Sequence, residues 1–244
     1  MITLITICHN RIEPLSRTLK SWLQIDVFSQ IVIVTSHDNL LEQLDVVHIP
    51  KISVVCQDLE MFNLSKARNI GAQHAKNKWL FFCDVDIQIF KGFRGYIQSA
   101  LHEHGYHVIQ KREQVPLNGF GSVLICESGV FNQLGGFDEH FTSYGFEDDD
   151  FIKRLSLSGL RRKEIPWSML KHLDHPSDFD YKVYRKSDLL KKLQTNKNYL
   201  TCKLYYMVLS DKVALTPEEC RMIREKSDSL NIELFANDEI SISN

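Results

Sequence analysis

Lys78-Trp79-Leu80-Phe81-Phe82-Cys83-Asp84-Val85-Asp86 decides how the rest of the chain is read. A short, dry apolar run stops abruptly at two aspartates one residue apart. Such a run suits a strand buried on both faces of a parallel sheet. In open α/β sheets ligands gather beyond the carboxyl ends of the strands, and Asp84 and Asp86 fall there. Both side chains can turn toward one point only if the chain bends at Asp84. Their mutual repulsion then calls for a cation between them. The competing reading is a loop that opens with two solvated acids.

Upstream, the chain alternates. Ile2 to Cys8 reads as a strand, followed by the polar His9-Asn10-Arg11. Pro14 suits the first turn of a helix running to about Leu23. Ile31 to Thr35 reads as a second strand ending in Ser36-His37-Asp38-Asn39, with a short helix over Leu40 to Leu44. Val46 to Ile49 and Ile52 to Cys56 are short strand candidates. Leu64 to Ala75 reads as a helix capped by Asn63 or Ser65. This rhythm predicts an α/β fold, a mixed, mostly parallel central sheet with helices on both faces. The loops after the first two strands then share the edge that carries Asp84 and Asp86. Neither GxGxxG nor GxxxxGK[ST] occurs, which disfavours a dinucleotide or P-loop site.

Composition narrows the function classes. The 244 residues suffice for one large α/β domain, with or without an appendage. With 29 basic against 31 acidic side chains, charge makes no case for nucleic acid or an anionic membrane surface. No apolar run nears the roughly 20 residues of a spanning helix. The N-terminus lacks a signal peptide's basic start and cleavage site. Six scattered cysteines without a CxxC pair suit reduced thiols. The expected location is cytoplasmic, with association at the inner face of the membrane left open.

Beyond residue 90 the character changes. Gly92 to His102 reads as a helix and Tyr106 to Lys111 as a strand. Asn118-Gly119-Phe120-Gly121 feeds a second strand through Cys126, and Glu127 to Leu134 reads as a helix stopped by Gly135-Gly136. Phe137-Asp138-Glu139 opens a loop through Tyr144-Gly145-Phe146 that ends in Glu147-Asp148-Asp149-Asp150. Acids are stabilised at a helix N-terminus, which accounts for one or two of these four. The surplus points to a catalytic base. Likewise Asn63-Leu64-Ser65-Lys66-Ala67-Arg68-Asn69 is either a capped helix with a solvated basic face or a clamp for phosphate.

Taken in order, Thr6-Ile7-Cys8-His9-Asn10-Arg11, Leu64 to Gly71, Asp84-Val85-Asp86, and Gly135-Gly136-Phe137-Asp138-Glu139 followed by Glu147 to Asp150 resemble the nucleotide-sugar glycosyltransferases of the A-type fold. The likeness is to the family-2 enzymes, with the C-terminal motif of chondroitin polymerases and β-1,4-galactosyltransferases, and covers roughly the first 175 residues. It implies a catalytic domain over 1–180, with a nucleotide-binding half (1–90) and an acceptor-binding half (91–180); beyond Tyr181 the likeness fades, and 181–244 reads from its residues as a helical extension. It further implies substrate or nucleotide contacts from Thr6, Cys8, Asn10, Arg11, Ser36, Asp38, Lys66, Arg68, Asn69, Asp84, Val85, Gly121 and Asp149. Asp148 becomes the base, with Glu147 beside it. Asp84 and Asp86 become metal ligands. Met169 to Pro176 holds His172 and His175 after a strand-like stretch, and the resemblance makes one or both a further metal ligand. An imidazole among carboxylates favours Mn²⁺ over Mg²⁺.

The expected reaction is transfer of a sugar from a UDP-sugar to a glycan, a lipid-linked sugar or another hydroxyl acceptor. One base without an enzyme nucleophile suggests a single displacement with inversion. Thr142-Ser143-Tyr144-Gly145-Phe146 replaces the tryptophan-glycine-rich loop of galactosyltransferases, which leaves the sugar and the acceptor open. A nucleotidyltransferase shares the sheet and acidic ligands, but its glycine-rich N-terminal signature is missing. A non-catalytic scaffold would not need Asp84, Asp86 and Asp148 intact. Helices are expected over Ser187 to Leu193 and Pro217 to Leu230. The apolar Tyr199 to Leu209 is expected to pack against the catalytic domain.

Overall fold

The computed structural model describes residues 1–37, 39–57, 63–101, 105–110, 122–142, 144–173 and 186–229. The elements run β1 (Ile2–Cys8), α1 (Ile12–Leu23), β2 (Phe28–Thr35), α2 (Leu40–Gln43), β3 (Ile52–Cys56), α3 (Leu64–Gln73), β4 (Trp79–Phe82), β5 (Ile87–Ile89) and α4 (Gly92–Ala100). There follow β6 (Gly105–Ile109), β7 (Leu124–Glu127), α5 (Ser128–Gln133), α6 (Glu147–Leu157), β8 (Arg161–Ile165), β9 (Leu170–His172), α7 (Lys186–Ser210) and α8 (Pro217–Ser229).

A seven-stranded sheet has the order β3-β2-β1-β4-β7-β6-β8. β1 pairs in parallel with both β2 and β4, and β3 with β2. β7 runs antiparallel between β4 and β6, and β8 returns parallel to β6. The sheet is therefore mixed and mostly parallel, as the alternation predicted. Its central strands are mostly apolar because both faces are covered. Leu4, Ile31, Ile33, Trp79 and Phe81 join the core on one face. Ile5, Val32, Val34, Leu80 and Phe82 join the core on the other.

Helix α3 lies unusually close to this sheet. A Cβ at Gly71 would collide with Ile5 Cγ2 and stand 3.3 Å from Val34 Cγ2. Asn63 caps α3, its side chain accepting from the Lys66 amide at 2.9 Å. Val46 to Ile49 is a correction, because it forms turns rather than a strand. Its amides close locally, Val46 N–H onto the Leu41 carbonyl and Ile49 N–H onto that of Val46. At the C-terminus one continuous helix, α7, replaces the two segments read from sequence. Phe141, Tyr199, Leu200 and Ile223 form a small third core where α7 and α8 meet the loop before α6.

Candidate active site

Strand β4 stops at Phe82 and the chain turns at Val85 and Asp86. Val85 supplies the anchor for that bend. Its side chain is buried in the core and its carbonyl accepts the Thr18 hydroxyl at 2.6 Å. Asp84 and Asp86 flank it, the first half-buried and the second buried.

A small antiparallel ribbon completes this corner. β5 pairs with β9 so that Ile87 faces His172, and the Leu173 amide donates to the Asp86 carbonyl at 2.8 Å. The register sets His172 Nε2 3.5 Å from Asp86 Oδ2. Arg11, in the polar loop after β1, reaches the same oxygen at 2.6 Å. Partial burial is the main push on the Asp84 carboxyl, upward, with Arg68 opposing it and Asp86 adding to it. Asp86 and His172 meet here, with Asp84 two residues before Asp86 at the end of β4, and carboxylate with imidazole is a donor chemistry suited to a borderline divalent cation.

Arg68 joins this corner to the acidic loop. Its guanidinium is buried, 2.9 Å from Glu147 Oε1 and 3.8 Å from Asp84 Oδ1. Burial works against its charge, but Glu147, Asp84 and Asp148 more than offset that and hold it protonated. Burial likewise pushes the Glu147 carboxyl upward, with Arg68 opposing. Tyr144 sits in the same field. Although the residue is 47% exposed, partial desolvation of its phenol, then Asp84, Asp148 and Glu147, raise it to about 12.

The four acids of α6 divide by environment. Glu147 is tied to Arg68. Asp150 is fully buried between Arg154 (2.6 Å) and Lys203 (2.9 Å). Asp149 is exposed. Asp148 is half-buried beside Arg68, and its Oδ1 accepts the Asp149 amide at 2.9 Å. Phe146, which precedes them, adopts φ +74°. For a non-glycine aromatic that backbone is strained, and it fixes how the acids enter the site.

The other predicted residues are placed as follows. Thr6 and Cys8 are buried, and burial pushes the Cys8 thiol up to about 11. Asn10 is exposed at φ +54° on the loop after β1. Ser36 is half-buried, its hydroxyl 3.5 Å from His9 Nδ1. Lys66 is exposed. Asp38, Gly121 and His175 lie outside the described residues. Arg68 and Asn69 of α3 both have protein partners. Arg68, expected to clamp phosphate, is engaged by Glu147 and Asp84. The Asn69 amide grips the loop after α5, donating to the Phe137 carbonyl and accepting the Phe137 amide, both at 2.8 Å.

Sequence reasoning gave no site role to Asp138, Asn196, Tyr199 or Lys203. Lys203 Nζ lies 2.7 Å from Asp138 Oδ2, and the Tyr199 hydroxyl donates to the same oxygen at 2.6 Å. Residues 196, 199 and 203 repeat at helical spacing, so a stripe of polar and aromatic side chains on one helix face was the available signal. Asp138, His140 and Cys220 also bring possible ligand atoms within 4.8 Å of one another. They do not suit a metal. Burial alone would raise the Asp138 carboxyl, but His140 and Lys203 hold it far below the usual range, and its oxygens are already engaged. Burial pushes the Cys220 thiol up to about 11, whereas a metal needs the thiolate.

The fold recurs in known proteins. The structure aligns with S. aureus TarS over 99% of this chain and 46% of that one, at a TM-score of 0.64 and 14% identity. It aligns with the mannosyltransferase PcManGT of Pyrobaculum calidifontis, solved with GDP-Man and Mn²⁺, over 93% and 68%, at 0.60 and 14%. This is the A-type glycosyltransferase fold. A Drosophila β-1,4-galactosyltransferase 7 variant, solved with manganese, UDP-Gal and xylobiose, shares the A-type fold over 77% of this chain and 74% of that one, at 0.50 and 18%. In sequence, a family profile described as the N-terminal domain of galactosyltransferase matches residues 103–176. β-1,4-Galactosyltransferase 3 of Cricetulus griseus is 26% identical over 168 residues, 59% of this chain. The chain spans 40% of the length of that relative.

Proposed function

We propose that the chain is a metal-dependent glycosyltransferase that moves a sugar from a UDP-sugar to a hydroxyl of a glycan or lipid-linked acceptor, with inversion. Arg68 carries the case. It brings Asp84, at the end of the first half, and Glu147, at the start of α6, to one guanidinium. Two acidic motifs far apart in sequence thereby become two sides of one site. The relatives support the direction, since those solved with ligands hold Mn²⁺ with GDP-Man or UDP-Gal. No described helix is long and apolar enough to cross a membrane.

On this reading Asp84, Asp86 and His172 hold the cation. A bound Mn²⁺ supplies positive charge against the departing diphosphate. Arg11, on the Asp86 carboxylate, adds a fixed positive charge at the same corner. The acceptor oxygen attacks the anomeric carbon as the bond to the diphosphate oxygen breaks. The diphosphate leaves with that electron pair, and the hydroxyl proton passes to Asp148. Glu147, locked by Arg68, orients the start of α6 and leaves the proton to its neighbour.

The test is incubation with a panel of UDP- and GDP-sugars and hydroxyl acceptors, with and without Mn²⁺, read by mass spectrometry. Mn²⁺-dependent transfer from a UDP-sugar is expected. Consumption of a nucleoside triphosphate with release of diphosphate would instead make the chain a nucleotidyltransferase. Asp86→Ala is expected to erase the gain in UDP affinity that Mn²⁺ gives in calorimetric titration. An unchanged gain removes Asp86 from the metal site.

A further inference from the structure

The helices that follow the catalytic sheet hold the acidic loop at both ends and in the middle. Lys203 of α7 is almost fully buried, and its ammonium joins Asp138, where the loop starts, to Asp150, just past its end. Between them, the Asn196 amide donates to three loop carbonyls, those of Thr142 (3.0 Å), Tyr144 (3.3 Å) and Gly145 (3.1 Å). Asn196 is itself buried. Its oxygen accepts from Arg224 of α8 at 3.0 Å, and the same guanidinium nitrogen donates to the His140 carbonyl at 3.2 Å. At Gly145, φ is +96° and an added Cβ would stand 2.6 Å from Leu193 Cδ2 on α7.

A helix that only covered apolar surface would not spend a buried amide on three carbonyls of one loop. That loop delivers Tyr144 and, through the strained Phe146, the acids Glu147 and Asp148. The donor corner around Asp86 is built without α7. Its parts come from β4, the β5–β9 ribbon and the loop after β1.

We propose that Asn196 is a positioning residue for acceptor transfer, fixing the backbone of Thr142, Tyr144 and Gly145 so that the acidic loop meets the acceptor in one geometry. The role rests on the transferase reading above. Small misplacements of reacting groups are costly to rate, so the effect is large for a residue that touches no substrate.

Asn196→Asp tests it. The change keeps the shape and the Arg224 partner but removes the N–H donors. The acceptor KM is expected to rise about tenfold or more, with UDP and Mn²⁺ affinity within about twofold of the original. The amides of Thr142, Tyr144 and Gly145 should exchange faster with solvent. Arg224→Gln, cut from the more exposed side, should give a weaker version of the same split. Equal loss of donor affinity, acceptor KM and melting temperature would reduce Asn196 to a fold-stabilising residue and overturn the proposal. So would unchanged acceptor KM in both variants. A parent protein that transfers no sugar overturns the transferase reading, whereas an active parent matched by its variants overturns only the role of Asn196.

Discussion

Asp148→Asn is expected to leave UDP and Mn²⁺ binding intact and to lower sugar transfer by about 100-fold or more, the lower range for a removed general base. Asparagine keeps the size of the side chain and its acceptor for the Asp149 amide, but it cannot take the hydroxyl proton. The geometry favours this residue over its neighbours. Glu147 is held at 2.9 Å by Arg68, Asp150 is buried between Arg154 and Lys203, and Asp149 faces solvent. Turnover at saturating donor and acceptor, set beside donor affinity for the same variant, makes the check. Near-normal turnover would move the base to Asp149. Loss of donor affinity would join the acidic loop to the metal corner and undo the division between donor and acceptor sides.

Arg68→Met should act on stability as well as on activity. The substitution leaves the buried Glu147 carboxylate without its cation and removes the charge that offsets Asp84. Breaking a buried pair from one side costs about 3–5 kcal/mol. Urea unfolding followed by circular dichroism measures the loss. A second change, Glu147→Gln, should recover much of it, because the orphaned charge is then gone. A loss below about 1 kcal/mol, the range of an exposed pair, would mean that water reaches Glu147 and that Arg68 does not bind the two motifs together.

Much of this was readable in the chain. β1, β2 and β4 are mostly apolar because both faces of the sheet are covered, and that dryness distinguishes them from loops. The parallel pairing then set the loops after β1 and β2 on the edge that bears Asp84. Val46 to Ile49 misled because a short apolar run is equally at home in a turn whose amides close locally. The α3 segment was legible only in part. Arg68 and Asn69 have the chemistry of a phosphate clamp, and only long-range packing reveals that protein groups engage them. The part played by α7 was hidden for a related reason. The apolar Tyr199 to Leu209 announces that this stretch packs, but composition cannot reveal that Asn196 faces the loop or that Lys203 meets two buried aspartates.

Gly71 gives these arrangements a common sensitivity. Because no methyl separates α3 from Ile5 and Val34, the helix rests directly on the sheet. Arg68 and Asn69 lie on the preceding turn of that helix, so the height of α3 above the sheet sets where both reach. The tolerances of catalysis are thus written partly into core volume. A side chain enlarged at Gly71 should be rescued by a smaller residue at Ile5, beneath it, and not by any change among the acids. A search for second-site suppressors would trace the mechanical support of the site down into the sheet.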